Sequence, residues 1–96
     1  DMKRVYLCAP PGELRKADAY AAYILQCGAA PVAPHFYARL PGADAALCAR
    51  AADSLLWMCD EVWVFGGYVT RDMRRFIHRA RLLYLRVRFI DHGGVD

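Results

Sequence analysis

Val62-Trp63-Val64-Phe65 is an unbroken apolar run, led in by Cys59-Asp60-Glu61 and stopped by Gly66-Gly67. Four consecutive β-branched or aromatic residues read as a strand. A strand without alternation is buried on both faces, which requires helices above and below it. That single segment points to a parallel sheet inside an α/β domain.

The flanking segments supply the remaining layers. Val5-Tyr6-Leu7-Cys8-Ala9 is a second apolar run, ended sharply by Pro10-Pro11-Gly12. From Glu13 to Cys27, apolar residues at Leu14, Ala17, Ala21, Ile24 and Leu25 keep helical spacing, and Gly28 supplies a left-handed stop. Pro31-Val32-Ala33-Pro34 reads as a short edge strand, because proline cannot donate to a ladder. His35-Phe36-Tyr37 opens a loop running to Pro41-Gly42. A second helix is expected over about Ala43 to Met58, with Leu47, Ala51, Leu55 and Met58 as its buried stripe. A third spans about Arg71 to Leu83, capped by Thr70, with Met73, Ile77, Ala80 and Tyr84 aligned. Val87 to Ile90 is the last strand, and His92-Gly93-Gly94 a tail. The order β-α-β-α-β-α-β with right-handed crossovers predicts a flavodoxin/Rossmann-like three-layer sandwich. Its four parallel strands take the order 2-1-3-4, in one domain over residues 1–96.

Composition removes other classes. With 57% hydrophobic and 24% charged residues in 96, the chain is not disordered. No apolar run approaches the ~18 residues of a membrane span, and no signal-peptide core of ~7–15 residues follows Met2. The expected compartment is the cytosol, with no membrane partner. Cys8, Cys27, Cys48 and Cys59 lack metal-site spacing and read as reduced core thiols. The histidines His35, His78 and His92 share no helical face with carboxylates, so no metal is expected. No cofactor is expected either, since neither G-x-G-x-x-G nor a Walker lysine motif occurs. The net charge of +3 is uneven: residues 70–96 hold seven arginines, namely Arg71, Arg74, Arg75, Arg79, Arg81, Arg86 and Arg88. They suit a solvated face or an anion site. Nucleic acid is not the expected partner, because no recognised binding motif accompanies them.

In a doubly wound sheet, ligands sit beyond the carboxyl ends of the strands where strand order reverses. Three loops should meet there: Pro10-Pro11-Gly12, Pro34-His35-Phe36 and Gly66-Gly67-Tyr68-Val69-Thr70. Glycine lets a backbone approach a ligand closely, and the helix opened by Thr70 favours an anion at its N-terminus. The expected ligand contacts are Pro10, Gly12, His35, Gly66, Gly67, Thr70, Arg71, Met73 and Arg74, with a phosphate- or sugar-bearing molecule between them.

Val5–Pro10 with Gly12, Pro31-Val32-Ala33-Pro34-His35, Cys59–Gly66, and Thr70–Met73 through Ile77 and Ala80 resemble the nucleoside 2-deoxyribosyltransferase-like domains, especially small bacterial and phage members. The resemblance covers about residues 3–91. It implies a flavodoxin-like sheet that binds nucleosides, nucleotides or related sugars, often in an oligomer. In catalytic members a glutamate attacks the anomeric carbon, and an aspartate on the helix before strand three assists. Here the helix-three pattern reads Thr70, Arg71, Asp72, Met73, Arg74, Arg75, Phe76, Ile77, His78, Arg79, Ala80, so the glutamate position holds Phe76. Asp72 stands at a position usually glycine, and Asp53 corresponds best to the assisting aspartate.

Three readings follow. The chain binds a nucleoside, nucleotide or nucleotide-derived molecule without transferase activity, because Phe76 cannot form a glycosyl ester. Alternatively it cleaves N-glycosidic bonds through Asp72 or Asp53. The third reading is an interaction module that binds another protein or nucleic acid through the arginine-rich third helix and through Trp57, Tyr68 and Tyr84. A homo-oligomer is expected, since so small a sheet leaves large aromatics poorly covered.

Overall fold

The structure is a computed structural model describing residues 1–91, apart from the Leu14 side chain; the expected tail at His92-Gly93-Gly94 and the expected core position at Leu14 lie outside the described residues. Four strands, β1 (Arg4–Cys8), β2 (Ala30–Val32), β3 (Glu61–Val64) and β4 (Arg86–Phe89), alternate with three helices, α1 (Ala17–Gln26), α2 (Ala45–Leu56) and α3 (Arg71–Leu82). All strand pairs are parallel, and the order is β2-β1-β3-β4. This is the α/β flavodoxin/Rossmann-like sandwich that the apolar run of β3 demanded. Every residue of β3 is buried, and β2, which carries Pro31, lies at an edge. No described helix is long and apolar enough to cross a membrane.

The two faces of the sheet are covered unequally. Tyr6, Cys8, Val62 and Val64 pack under Leu56 of α2 and Met73, Ile77 and Ala80 of α3. Val5, Leu7, Trp63 and Phe65 face α1 alone, through Tyr20 and Ile24. The guanidinium of Arg88 covers the Trp63 ring, 4.6 Å from its centroid, where a further helix would otherwise be needed. Glu61, 4% exposed at the start of β3, accepts hydrogen bonds from Lys3 Nζ at 2.8 Å and Trp63 Nε1 at 2.9 Å.

Local departures from expectation have identifiable causes. The first helix begins as a 3-10 helix over Pro11–Lys16, set up by Glu13 N donating to Pro10 O. Tyr20 joins Ala17 and Ile24 on the buried row of α1, while Leu25 is exposed, one residue out of phase. The segment expected as a loop from His35 is a 3-10 helix over Pro34–Arg39. In α2, Leu47 and Met58 are exposed, not buried, and Leu56 is the residue driven into the core. Tyr84 leaves α3 with φ 62° and is almost wholly exposed, so it does not extend the buried row Met73, Ile77, Ala80. The four cysteines are free thiols, but only Cys8 and Cys59 are core residues; Cys27 is exposed and Cys48 half-buried.

Candidate functional site

The inward row of α2 is made of small residues. Ala45, Cys48, Ala49 and Ala52 share one helical face with Leu56. Leu56 seats the C-terminal end of α2 on the sheet. Toward its N-terminal end, the short side chains leave a cavity of about 600 Å³ between α2, α3 and the sheet. That volume lies in the range of small-molecule sites. Its floor is Tyr6 and Cys8 with the neighbouring backbone of Leu7 and Ala9, and its far wall is Thr70, Asp72, Met73 and Phe76. Pro11, Pro34, His35 and Tyr37 form the rim at the carboxyl edge of the sheet.

Two aromatic rings dominate the interior. The Tyr6 and Phe76 rings lie 4.5 Å apart between centroids, tilted by 32°. Burial, with Cys8, Asp53, Cys59 and Tyr37 nearby, holds the Tyr6 phenol well above its ordinary range, so it stays neutral. Burial likewise pushes the Cys8 thiol up to about 12, which removes it as a nucleophile near neutral pH. Among the described residues that line it there is no arginine or lysine, and Asp72 is the one carboxylate.

Polar groups gather at the rim. Thr70 caps α3 by accepting from Met73 N at 3.2 Å, as the sequence predicted. The amides of Arg71 and Asp72 belong to the helix turn that has no intrahelical acceptors. The Asp72 carboxylate sits in that turn and offsets its pull on an anion. His35 lies with Nε2 3.5 Å from Asp18 Oδ1, its side chain 10% exposed. Its Nδ1 is buried without a hydrogen-bond partner among the described residues.

The expected site is thus split. His35, Thr70, Met73 and Asp72 come together around the cavity, joined by Pro11 and Pro34. Gly66 does not face it. Its φ is 101°, and a Cβ there would stand 2.6 Å from Pro10 Cδ, so this glycine lets the β3 turn close onto the fully buried Pro10. Gly66 and Gly67 border a smaller cavity with Glu13, Lys16 and Tyr20, on the α1 side of the sheet. Gly12 lies beneath Tyr68, whose hydroxyl would be 3.1 Å from an added Cβ. Arg71 and Arg74 are exposed and do not line the cavity. Asp53 is outside it as well, ion-paired with Arg79 between α2 and α3.

Sequence reasoning missed Tyr6, Tyr37, Cys48 and the alanine row as site residues. The signal was present in Ala45, Ala49 and Ala52 continuing to Leu56, but a leucine stripe one residue away outweighed it. Residues 3–90 match the family described as a domain of unknown function, DUF7768. No curated protein matches the chain. The chain belongs to the DUF7768 family.

Proposed function

We propose that this DUF7768 domain binds a nucleoside, or the nucleoside part of a nucleotide-derived molecule, in the cavity beneath α2, without covalent transferase chemistry. The observation that carries the reading is the Tyr6–Phe76 pair inside a largely apolar cavity bordered by Asp72 and His35. Aromatic side chains favour a flat heterocycle by offset stacking. A carboxylate and an imidazole at the rim suit sugar hydroxyls or ring N–H groups. The lining holds no cation to face a phosphate, so any phosphate would project through the mouth into solvent. The sequence resemblance to nucleoside 2-deoxyribosyltransferase-like domains supports the same ligand class. Phe76, at the position of the catalytic glutamate in that resemblance, speaks against the covalent route.

Calorimetry with a panel of nucleosides and their 5′-monophosphates tests the reading. Saturable binding of at least one nucleoside supports it, and no heat from any compound at ~5 mM, equivalent to binding weaker than about −3 kcal/mol, would sink it. The same mixtures assayed for free base test the enzymatic reading, which Asp72 alone keeps open as the one carboxylate lining the cavity. Base release abolished by Asp72→Asn would replace binding by hydrolysis as the activity. We also propose self-association in solution, from the exposed Leu25, Phe36, Leu40 and Leu47. Light scattering at ~100 µM, a concentration that reveals micromolar contacts, checks it.

A further inference from the structure

Arg71 and Arg74, expected at the site, stand outside the cavity, and two other arginines of the basic segment are engaged within the fold. Arg79 is paired with Asp53, and Arg88 lies over Trp63. Arg71, Arg74, Arg75 and Arg81 are exposed, and among the described residues none of them has an acidic partner. Because Met73, Ile77 and Ala80 fix the inner face of α3, Arg71 and Arg75 run along its outer face with His78, and Arg74 and Arg81 along one flank. The only acid of α3, Asp72, lies on the cavity side. The strip is ~18 Å long for this 12-residue helix.

A second observation lies at the end of that strip. α1 and α3 stop with the same hydrogen-bond pattern. In α1, Gly28 N donates to Leu25 O and Ala29 N to Ile24 O. In α3, Tyr84 N donates to Arg81 O and Leu85 N to Ala80 O. Both form the two-bond C-terminal motif whose central residue must be left-handed, where glycine is favoured. Gly28 fills it in α1 with φ 86°, but α3 uses Tyr84 with φ 62°. The Tyr84 side chain returns nothing to the fold, since the residue is 96% exposed. The left-handed stop thus leaves the Tyr84 ring in solvent and open to contact. Trp57, 76% exposed just after α2, stands at the same amino edge of the sheet.

We infer that the outer face of α3, with Tyr84 at its end, is a docking surface for single-stranded nucleic acid. The four unpaired arginines contact phosphates from the outer face and the adjoining flank, and Tyr84 takes an unstacked base on its ring. Like charges spread over the outer face and one flank of α3, with no acid among them, match the repeated charge of a phosphate backbone. A protein partner would want an apolar centre to desolvate, and Leu82 alone interrupts this strip. The aromatic selects a single strand, because bases in a duplex have no free face to offer. This surface is separate from the cavity and does not depend on what the cavity binds.

The test is fluorescence anisotropy with a labelled 15-nucleotide oligodeoxythymidylate, titrated with the full chain between 50 and 300 mM NaCl. Neutralising about four phosphates predicts a log–log salt slope of about −3. Arg74→Ala with Arg75→Ala should bring the slope to about −1.5. Tyr84→Gly should weaken binding about tenfold while raising the melting temperature by about 2–6 °C. That opposite pairing separates a lost contact from lost folding. No binding at 50 mM NaCl and ~100 µM protein, a concentration that reveals millimolar-to-micromolar affinities, overturns the inference. So does equal affinity for a 15-base-pair duplex, or a Tyr84→Gly variant that binds as tightly as the parent.

Discussion

Phe76 is the residue on which the cavity reading turns. It is half-buried, packed on Tyr6 at 4.5 Å, and lines the wall of the site. Truncating a fully buried phenylalanine to alanine costs about 3–5 kcal/mol. A ring with one face on a cavity loses roughly half of that, about 2 kcal/mol, including about 1 kcal/mol for the aromatic pair. In a chain of this size each kcal/mol moves the midpoint by about 4–8 °C, so Phe76→Ala should melt about 8–16 °C lower. Phe76→Leu keeps apolar volume but removes the ring, and should stay within about 1.5 kcal/mol of the parent. Both should weaken nucleoside binding about tenfold or more, equivalent to ~1.4 kcal/mol. Urea titrations followed by tryptophan emission give the stabilities, and calorimetry gives the affinities. A Phe76→Leu variant that binds nucleoside like the parent would refute the stacking argument. A Phe76→Ala cost above about 4 kcal/mol would show a core residue rather than a cavity wall. Phe76→Glu should not produce cleavage, since a new carboxylate one turn from Asp72 meets like charge and lacks positioned hydrogen bonds.

Two further outcomes follow from groups outside the cavity and on its floor. Burial alone would push the Glu61 carboxyl up, but hydrogen bonds from Lys3 and Trp63, with the charges of Lys3 and Arg86, outweigh it and hold the group below the ordinary value of 4.5. The stability it contributes is complete above that value and is lost as pH falls toward the depressed folded value. Urea midpoints between pH 6 and pH 3 should therefore drop less in Glu61→Gln than in the parent; parallel curves would contradict the assignment. Burial pushes the Cys8 thiol up to about 12 and, with Asp60 beside it, the Cys59 thiol up to about 11. Iodoacetamide at pH 7.5 should modify exposed Cys27 first and reach Cys8 and Cys59 only on unfolding, as read by mass spectrometry; early labelling of Cys8 would show that the cavity floor opens.

The layers of the fold were legible because residue type and pattern agreed. Val62–Phe65 read as a doubly buried strand from its β-branched and aromatic residues and its Gly-Gly stop, and the prolines at 31 and 34 marked an edge. Thr70 capped the helix it precedes, where side chain and backbone chemistry select the same residue. The phase of α2 was legible only in part, since Leu55 is half-buried against the core while Leu47 and Met58 are exposed. Leu47, Ala51, Leu55 and Met58 carry more hydropathy than Ala45, Ala49 and Ala52, so the stronger stripe was taken as the inner one. Ala45, Ala49 and Ala52 border the cavity, and hydropathy registers side chains that fill a core, not those whose smallness leaves an opening beside it. Tyr84 misled in a similar way: its spacing continued the α3 stripe, but the left-handed stop turned it out to solvent.

The glycines at the end of β3 separate what a turn offers locally from what the assembled loops permit. A Gly-Gly turn leading into a capped helix has the features of an anion site, and the nearby arginines strengthened that reading. Contact between loops decides otherwise. Gly66 is needed because Pro10 occupies the space in front of it, so the backbone approach that glycine allows is already used by the protein itself. The arginines are directed outward by the same amphipathic pattern that buries Met73, Ile77 and Ala80. On the other side of that loop, at the larger cavity, α3 begins with Thr70 and Asp72 rather than with a bare anion-binding turn. A carboxylate at that point selects against phosphate inside the cavity and in favour of hydroxyl or N–H donors. Hence Asp72→Asn should narrow the difference between a nucleoside and its 5′-monophosphate, and an unchanged ratio would remove the electrostatic basis for choosing an uncharged ligand.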